Sequence, residues 1–381
     1  RRRSLEAVTT ARKASGRRND FRFDGRLSTM SEADEEIIGY DVAAVEAWVD
    51  EHVDSLEPPF VWTKLEGGHS NLTYRIDSAN GGKSAVIRRP PMGDLLPKAH
   101  DMGREWSCIK ALWPTAVPVA EPLAFCESPE ITGAHFYVMG LIDGQALYNV
   151  EDVEAWLPEA SRQTMAESWV DTLAALHSLD PDEIGLSDLG RKEGYVLRQI
   201  KTWYRSWNAS IEYAEIDNPK IHELHDLLVA TVPEQGPAVL VHGDYGTHNV
   251  MVGSDAQMAA VVDWEIATLG DPLADFGYSL NAWLQADDDL LDNGDSPTLA
   301  AGFPDRQFII DRYAEKTGRD LGELPYYQAF NRFKTACILH GVYARYKNGQ
   351  KAIDPEDLDL LRGRVDNAIS RAEQALADLK S

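Results

Sequence analysis

Apolar residues recur at helical spacing over residues 41–53, where Val42, Val45, Trp48, Val49 and Val53 form one stripe behind a potential cap at Asp41. The pattern then shortens. Residues 60–65 and 72–77 read as strands flanking Glu66-Gly67-Gly68-His69-Ser70-Asn71. Ala79-Asn80-Gly81-Gly82 turns the chain into a third strand over 83–89. A helix over 100–112 and strands over 119–127 and 134–141 follow. From residue 149 the helical period dominates, with helices predicted over 161–179, 194–214, 219–232, 275–285, 305–317, 326–348 and 354–379. Residues 240–275 interrupt that run with a polar loop and a hairpin over 249–263 that turns at Gly253-Ser254-Asp255. The sequence contains no internal repeat.

With 381 residues and 44% hydrophobic content, the chain can bury a large core in two domains or two lobes. Residues 1–34 are polar and read as a flexible basic arm, 35–143 as a β-rich lobe and 144–381 as a helical lobe. The net charge of -25 argues against nonspecific nucleic-acid binding, and the basic arm reads more simply as a solvated tail. Cys108, Cys126 and Cys337 are too scattered for a disulfide framework or a CxxC metal site. No apolar run approaches a membrane span, and the basic start lacks the apolar region of a signal peptide. A reducing, cytoplasmic setting without membrane or nucleic-acid partners is the expectation.

The chemistry concentrates in the interruption. His242-Gly243-Asp244 is followed five positions later by Asn249, and Asp263 comes after the apolar run 259–262. Asp244 can orient a hydroxyl and accept its proton, while Asn249 and Asp263 can hold Mg²⁺ against ATP phosphates. Upstream, Gly67 and Gly68 let the backbone approach phosphates, with the NH groups of His69, Ser70 and Asn71 as donors. Strand alternation puts Val86 and Arg88 on one face and Ile87 and Arg89 on the other. Arg88 is the chosen phosphate-binding cation, with Arg89 in reserve. Glu105 on the next helix is one candidate to pair with it. The strand over 134–141 runs into a linker suited to hydrogen bonding an adenine edge.

These residues resemble the aminoglycoside phosphotransferase/choline kinase-like family, and most closely the kinase-like domain found fused to some acyl-CoA dehydrogenases. The specific motifs are HGDxxxxN at His242–Asn249, Asp263-Trp264-Glu265, and Gly270-Asp271-Pro272-Leu273-Ala274-Asp275. Weaker ones are the GGxSNxTY turn from Gly67 to Tyr74, Arg89-Pro90-Pro91 and Gly341-Val342-Tyr343-Ala344-Arg345. The resemblance implies an α+β, two-lobed protein-kinase-like fold, with an antiparallel β N-terminal lobe and a helical C-terminal lobe. It implies Asp244 as the catalytic aspartate and Asn249 and Asp263 as Mg²⁺ ligands. Arg88 stands where the family usually has Lys, with Glu105 as its partner. Met139 and Leu141 would offer backbone groups to adenine, and Asp275 would brace the catalytic loop.

The implied activity is an ATP- and Mg²⁺-dependent O-phosphotransferase acting on a hydroxyl of a small molecule. Gly243 in place of Arg, and no Ala-Pro-Glu after Asp263, disfavour a protein kinase. Three acceptors compete. An aminoglycoside would use acidic residues such as Asp287, Asp288, Asp289 and Asp292. A hydroxyacyl-CoA would use cations among Arg332, Lys334, Arg345, Lys347 and Lys351. An amino alcohol would need a cage from Trp203, Tyr204 and Trp207, which helical core packing explains more cheaply. The Arg at position 88 also motivates a nucleotide-binding pseudokinase that acts as a partner-binding module.

Overall fold

Asp41 caps the first helix, α1 (Val42–His52), by accepting from Ala44 N at 3.1 Å. This computed structural model describes residues 37–65, 71–93, 101–286, 288, 296–350 and 354–380. The predicted arm over 1–34, the turn residues Gly67, Gly68, His69 and Ser70, the acidic residues Asp287, Asp289 and Asp292, and Lys351 lie outside them.

Burial alternates along β2 (Leu72–Ser78), which lies between β1 (Phe60–Lys64) and β3 (Ser84–Arg89). They join β4 (Pro122–Cys126) and β5 (Phe136–Gly140) in an antiparallel sheet of order β1-β2-β3-β5-β4. The sheet packs on α1 through Val45, Val49, Ile76, Ile87 and Phe136. Its other side meets α2 (Met102–Leu112), which Asp101 caps. The strand expected over 119–127 is shorter. Pro118 and Pro122 lack the N–H groups a longer ladder needs, although Val119 and Ala120 remain buried. Two short helices were not expected: α3 (Pro129–Thr132) and α4 (Val150–Trp156), capped by Ser128 and Asn149.

The rest is mainly helical: α5 (Arg162–His177), α6 (Tyr195–Ala214) and α7 (Pro219–Ala230), then α8 (Pro272–Ala282), α9 (Arg306–Thr317), α10 (Leu324–Lys347) and α11 (Pro355–Lys380). α10 packs on α6, α8 and α11 around Trp207, Phe330, Phe333 and Val365. α8 begins three residues before the expected start because Asp271 caps it and Pro272 occupies its first turn. Trp207 is core, stacked on His340 at 4.0 Å, and Tyr204 stacks on His225 at 3.6 Å, so these two aromatics of α6 serve packing. All three cysteines are free and buried. Among the described residues no helix is long and apolar enough to cross a membrane.

Two hairpin-like pairings frame the polar loop. β6 (Val239–Val241) pairs antiparallel with β9 (Thr268–Gly270), and β7 (Val250–Val252) with β8 (Met258–Val261). The first pairing closes the loop into a compact unit whose ends are held together. The second is the hairpin predicted over 249–263. The β-rich and helical parts meet where Val261 N donates to Pro118 O at 2.8 Å.

Candidate active site

The loop after β6 turns on Gly243, whose φ of +86° lies in the left-handed region. A Cβ there would also sit 3.1 Å from Ile266 Cδ1, so this position favours glycine on two counts. His242 Nδ1 accepts from Asp244 N at 3.3 Å, which leaves Nε2 as the donor to Val262 O at 2.9 Å. His242 thereby ties the loop to the end of β8. Val262 N also donates to Asn249 O at 3.0 Å, which brings Asn249 and Asp263 to the same end of the hairpin.

Asp275, in the first turn of α8, receives Gly243 N on Oδ1 and His242 N on Oδ2, both at 2.7 Å. His177 Nε2 lies 3.2 Å from Oδ2, and its Nδ1 is 2.7 Å from the Tyr313 hydroxyl. Burial raises the Asp275 carboxyl, but His177 and the backbone donors outweigh it and leave it below the usual carboxylate range.

Asp244 is held from several sides. Asn249 Nδ2 donates to its Oδ2 at 3.0 Å and to its backbone O at 2.9 Å. His248 Nε2 lies 3.5 Å from Oδ2, and the Tyr278 hydroxyl donates a short bond to Oδ1. Burial raises this carboxyl, yet His248 and Tyr278 together bring it down to about 2. Because Asn249 turns its amide nitrogen to Asp244, its side-chain oxygen is available to a cation.

Asp263 adopts φ 65°, ψ 60°, a left-handed conformation that is uncommon outside glycine. Its Oδ1 accepts from Arg88 Nη2 at 3.0 Å, and the same nitrogen lies 3.1 Å from Glu105 Oε1. In the sheet Arg88 stands opposite Tyr137, whose hydroxyl donates to Glu105 Oε2 at 3.1 Å. Burial opposes the Arg88 charge, but Glu105, Tyr137 and Asp263 more than offset it and raise its pKa. Arg89 points to the other face and binds the carbonyls of Gly39, Pro90 and Thr132, with 2.7 Å to the last. Val86 stands opposite Met139, so these two share a patch of sheet beside Arg88. Leu141, just past β5, is 38% exposed, and Asn71 at the head of β2 is buried. Asn71 is thus the described member of the predicted turn set 67–71.

A cavity of about 780 Å³ opens next to Asp244, lined by its partners His248 and Tyr278. Arg306, Arg332, Arg364 and Arg371 also line it, against Asp288 as its described carboxylate. Asp288 is already engaged with Arg306. The cations proposed from the sequence therefore separate. Arg332 faces the cavity, whereas Lys334 is buried against Gly243 O at 3.2 Å and Lys347 pairs with Glu215 at 2.7 Å. Tyr278, Tyr137, His248 and His177 were missed by the sequence reading, and Lys334 was named there only as a cation for a hydroxyacyl-CoA. They lie on separate elements, and no local spacing marks them.

A profile of the phosphotransferase enzyme family matches residues 61–314. Acyl-CoA dehydrogenase family member 11 of Rattus norvegicus is 32% identical over 322 residues, covering 82% of this chain and 40% of that protein. The chain thus spans about 40% of the length of that curated relative. A solved structure from Ralstonia eutropha, described as a proposed aminoglycoside phosphotransferase, is 29% identical with a TM-score of 0.74, covering 89% of this chain and 99% of its own. Choline kinase of Cryptosporidium parvum shares the fold, with a TM-score of 0.57 at 12% identity over 88% of this chain and 98% of its own. The two-lobed kinase-like architecture expected from the sequence is the one found, and the chain belongs to the phosphotransferase enzyme family, with the fold of its small-molecule kinases.

Proposed function

We propose that this chain is an ATP- and Mg²⁺-dependent O-phosphotransferase whose acceptor is an anionic small molecule carrying a hydroxyl. The supporting observation is the position of Asp244, directly behind the cavity-lining residues Tyr278 and His248, with Asn249 beside it and Asp263 bound to Arg88.

The donor set suits the cofactor. Asn249 and Asp263 provide an amide oxygen and a carboxylate, hard donors of the kind Mg²⁺ takes, and Mg²⁺ completes its shell with phosphate oxygens and water. Bound there, Mg²⁺ would neutralise charge on the nucleotide phosphates. Arg88, fixed by Glu105, would hold those phosphates together with the backbone of residues 67–71. Val86, Met139 and Leu141 would face the adenine. Asp244 would align the acceptor hydroxyl and receive its proton as the new O–P bond forms and the bond from the γ-phosphorus to the ADP oxygen breaks.

The cavity charge supports this acceptor class. Burial depresses the pKa of Arg332. Arg371 and Arg306 depress it further, against opposing help from Asp378 and Asp288. Clustered guanidinium groups repel a polyamine and attract phosphate or carboxylate. A hydroxyacyl-CoA has the required hydroxyl and anionic groups, and relatives of this chain are named as acyl-CoA dehydrogenase family members. An aminoglycoside acceptor is the second reading, supported by the description of the Ralstonia relative.

The test incubates the protein with Mg·ATP and a panel of hydroxyacyl-CoAs, aminoglycosides and amino alcohols, and follows phosphoryl addition by mass spectrometry. Transfer to a hydroxyacyl-CoA is expected. Arg332→Ala and Arg371→Ala are each expected to raise the KM for that acceptor about tenfold, as loss of one charge-assisted contact would, with little change in the KM for ATP. Transfer confined to cationic acceptors would refute the anionic assignment.

A further inference from the structure

The loop from His242 to Asn249 contains no Lys or Arg, although it carries Asp244. A cation reaches it from α10 instead. Lys334 is 8% exposed, its Nζ donates to Gly243 O at 3.2 Å, and the same atom lies 4.7 Å from the centroid of the Tyr278 ring. Tyr278 in turn donates its hydroxyl to Asp244 Oδ1. The ammonium is thus hydrogen-bonded to a carbonyl and set against a π face, while the carboxylates of Asp275 and Asp244 act on it through space. Burying a charge in such company is costly. A Met or Leu would fill the space without that cost, so the ammonium contributes something packing alone does not. What it contributes is positive charge behind the phenol that holds Asp244.

The partners of Asp244 also indicate where an acceptor can meet it. A carboxylate has roughly four acceptor positions. Asn249 at 3.0 Å and His248 at 3.5 Å both address Oδ2, whereas Tyr278 addresses Oδ1. The less occupied oxygen is therefore the one that Tyr278 holds. Tyr278 lines the arginine-rich cavity, so a hydroxyl entering from that side meets Oδ1 next to the phenol.

We propose that Tyr278 and Lys334 are positioning residues for phosphoryl transfer: Tyr278 sets the orientation of Asp244, and Lys334 fixes Tyr278 and the Gly243 carbonyl from behind. The proposal rests on the phosphotransferase reading of Asp244. Neither residue is assigned a bond to the substrate.

Two single variants and their combination test it, with Mg·ATP as the probe and phosphate release to water as the readout. Tyr278→Phe keeps the ring and removes one hydrogen bond to a charged group. It is expected to lower kcat about tenfold with the KM for ATP within about twofold. Lys334→Met keeps the volume and removes the charge. It is expected to lower kcat by a similar factor while the melting temperature holds or rises, because a buried charge has been relieved. A purely structural lysine would instead lower the melting temperature and leave kcat alone. In the double variant the losses should combine to less than their product, because Lys334 acts through Tyr278. Unchanged kcat in both single variants, or losses that multiply, would overturn the proposal. If Lys334→Met does not fold, the kcat and KM of Tyr278→Phe decide alone. If the unsubstituted chain transfers no phosphoryl group from Mg·ATP to water or to any panel acceptor, the phosphotransferase reading fails and this inference falls with it.

Discussion

Asp244→Asn is expected to lower kcat about 10³-fold, within the range for loss of a positioned general base, and to leave the KM for ATP within about twofold. The amide can still accept from Tyr278 or Asn249 through its one oxygen, so the loop keeps much of its geometry. It cannot take up a proton, and its NH₂ would face a donor where the carboxylate presented an acceptor. With its pKa down at about 2, the Asp244 carboxylate is ionised across the whole working range and is a weak base. Its contribution is therefore weighted toward alignment and toward stabilising charge late in the transfer. Any change of kcat between pH 6 and 9 should arise from other groups. Steady-state kinetics with Mg·ATP, with the melting temperature as a control for folding, provide the check. Turnover in the variant equal to that of the unsubstituted chain would remove Asp244 from the mechanism.

Local pattern carried much of the architecture. Alternation along Ser84–Arg89 separates Arg88 from Arg89, and the structure sends one to Glu105 and Asp263 and the other to the carbonyls of Gly39 and Thr132. The cap at Asp41 was legible because its residue type is distinctive there, whereas those at Asn218 and Asp305 were found only in the structure. Strands of three residues were not, because β6 and β9 are too short to show alternation and are buried along most of their length. Their pairing joins residues about thirty positions apart and was invisible to any local window.

The chemistry of the site divides in the same way. The loop and hairpin place His242, Asp244, Asn249 and Asp263 through contacts that are close in sequence. Tyr278 and Lys334 arrive from α8 and α10, so only packing brings them together. Lys334 was grouped with cations for a hydroxyacyl-CoA, but its ammonium turns inward to Gly243 O. Global charge is no guide to a single wall either. A chain with net charge -25 collects four arginines around one cavity, because sums over the surface carry no information about a particular wall.

Asp275→Asn should be the more damaging change to the fold, costing about 3–5 kcal/mol, the range for breaking a buried charged network by removing one partner. Both carboxylate oxygens are in use: Oδ1 by Gly243 N, and Oδ2 by His242 N and His177. An asparagine supplies one oxygen and one NH₂, so at least one backbone donor would face another donor in a site that water does not reach. The loop bearing Asp244 would lose its anchor to α8, and kcat should fall along with stability. The pH dependence gives an independent check. The folded-state pKa of Asp275 is depressed, so its stabilisation is complete above the unfolded carboxyl pKa of about 3.9 and is lost as pH falls through the lower folded value. Urea unfolding of both proteins should therefore show a stability gap that is constant from pH 8 to about pH 5 and narrows in stronger acid. A gap of less than about 1 kcal/mol at pH 7, or one that widens on acidification, would mean that Asp275 does not brace the loop as an anion.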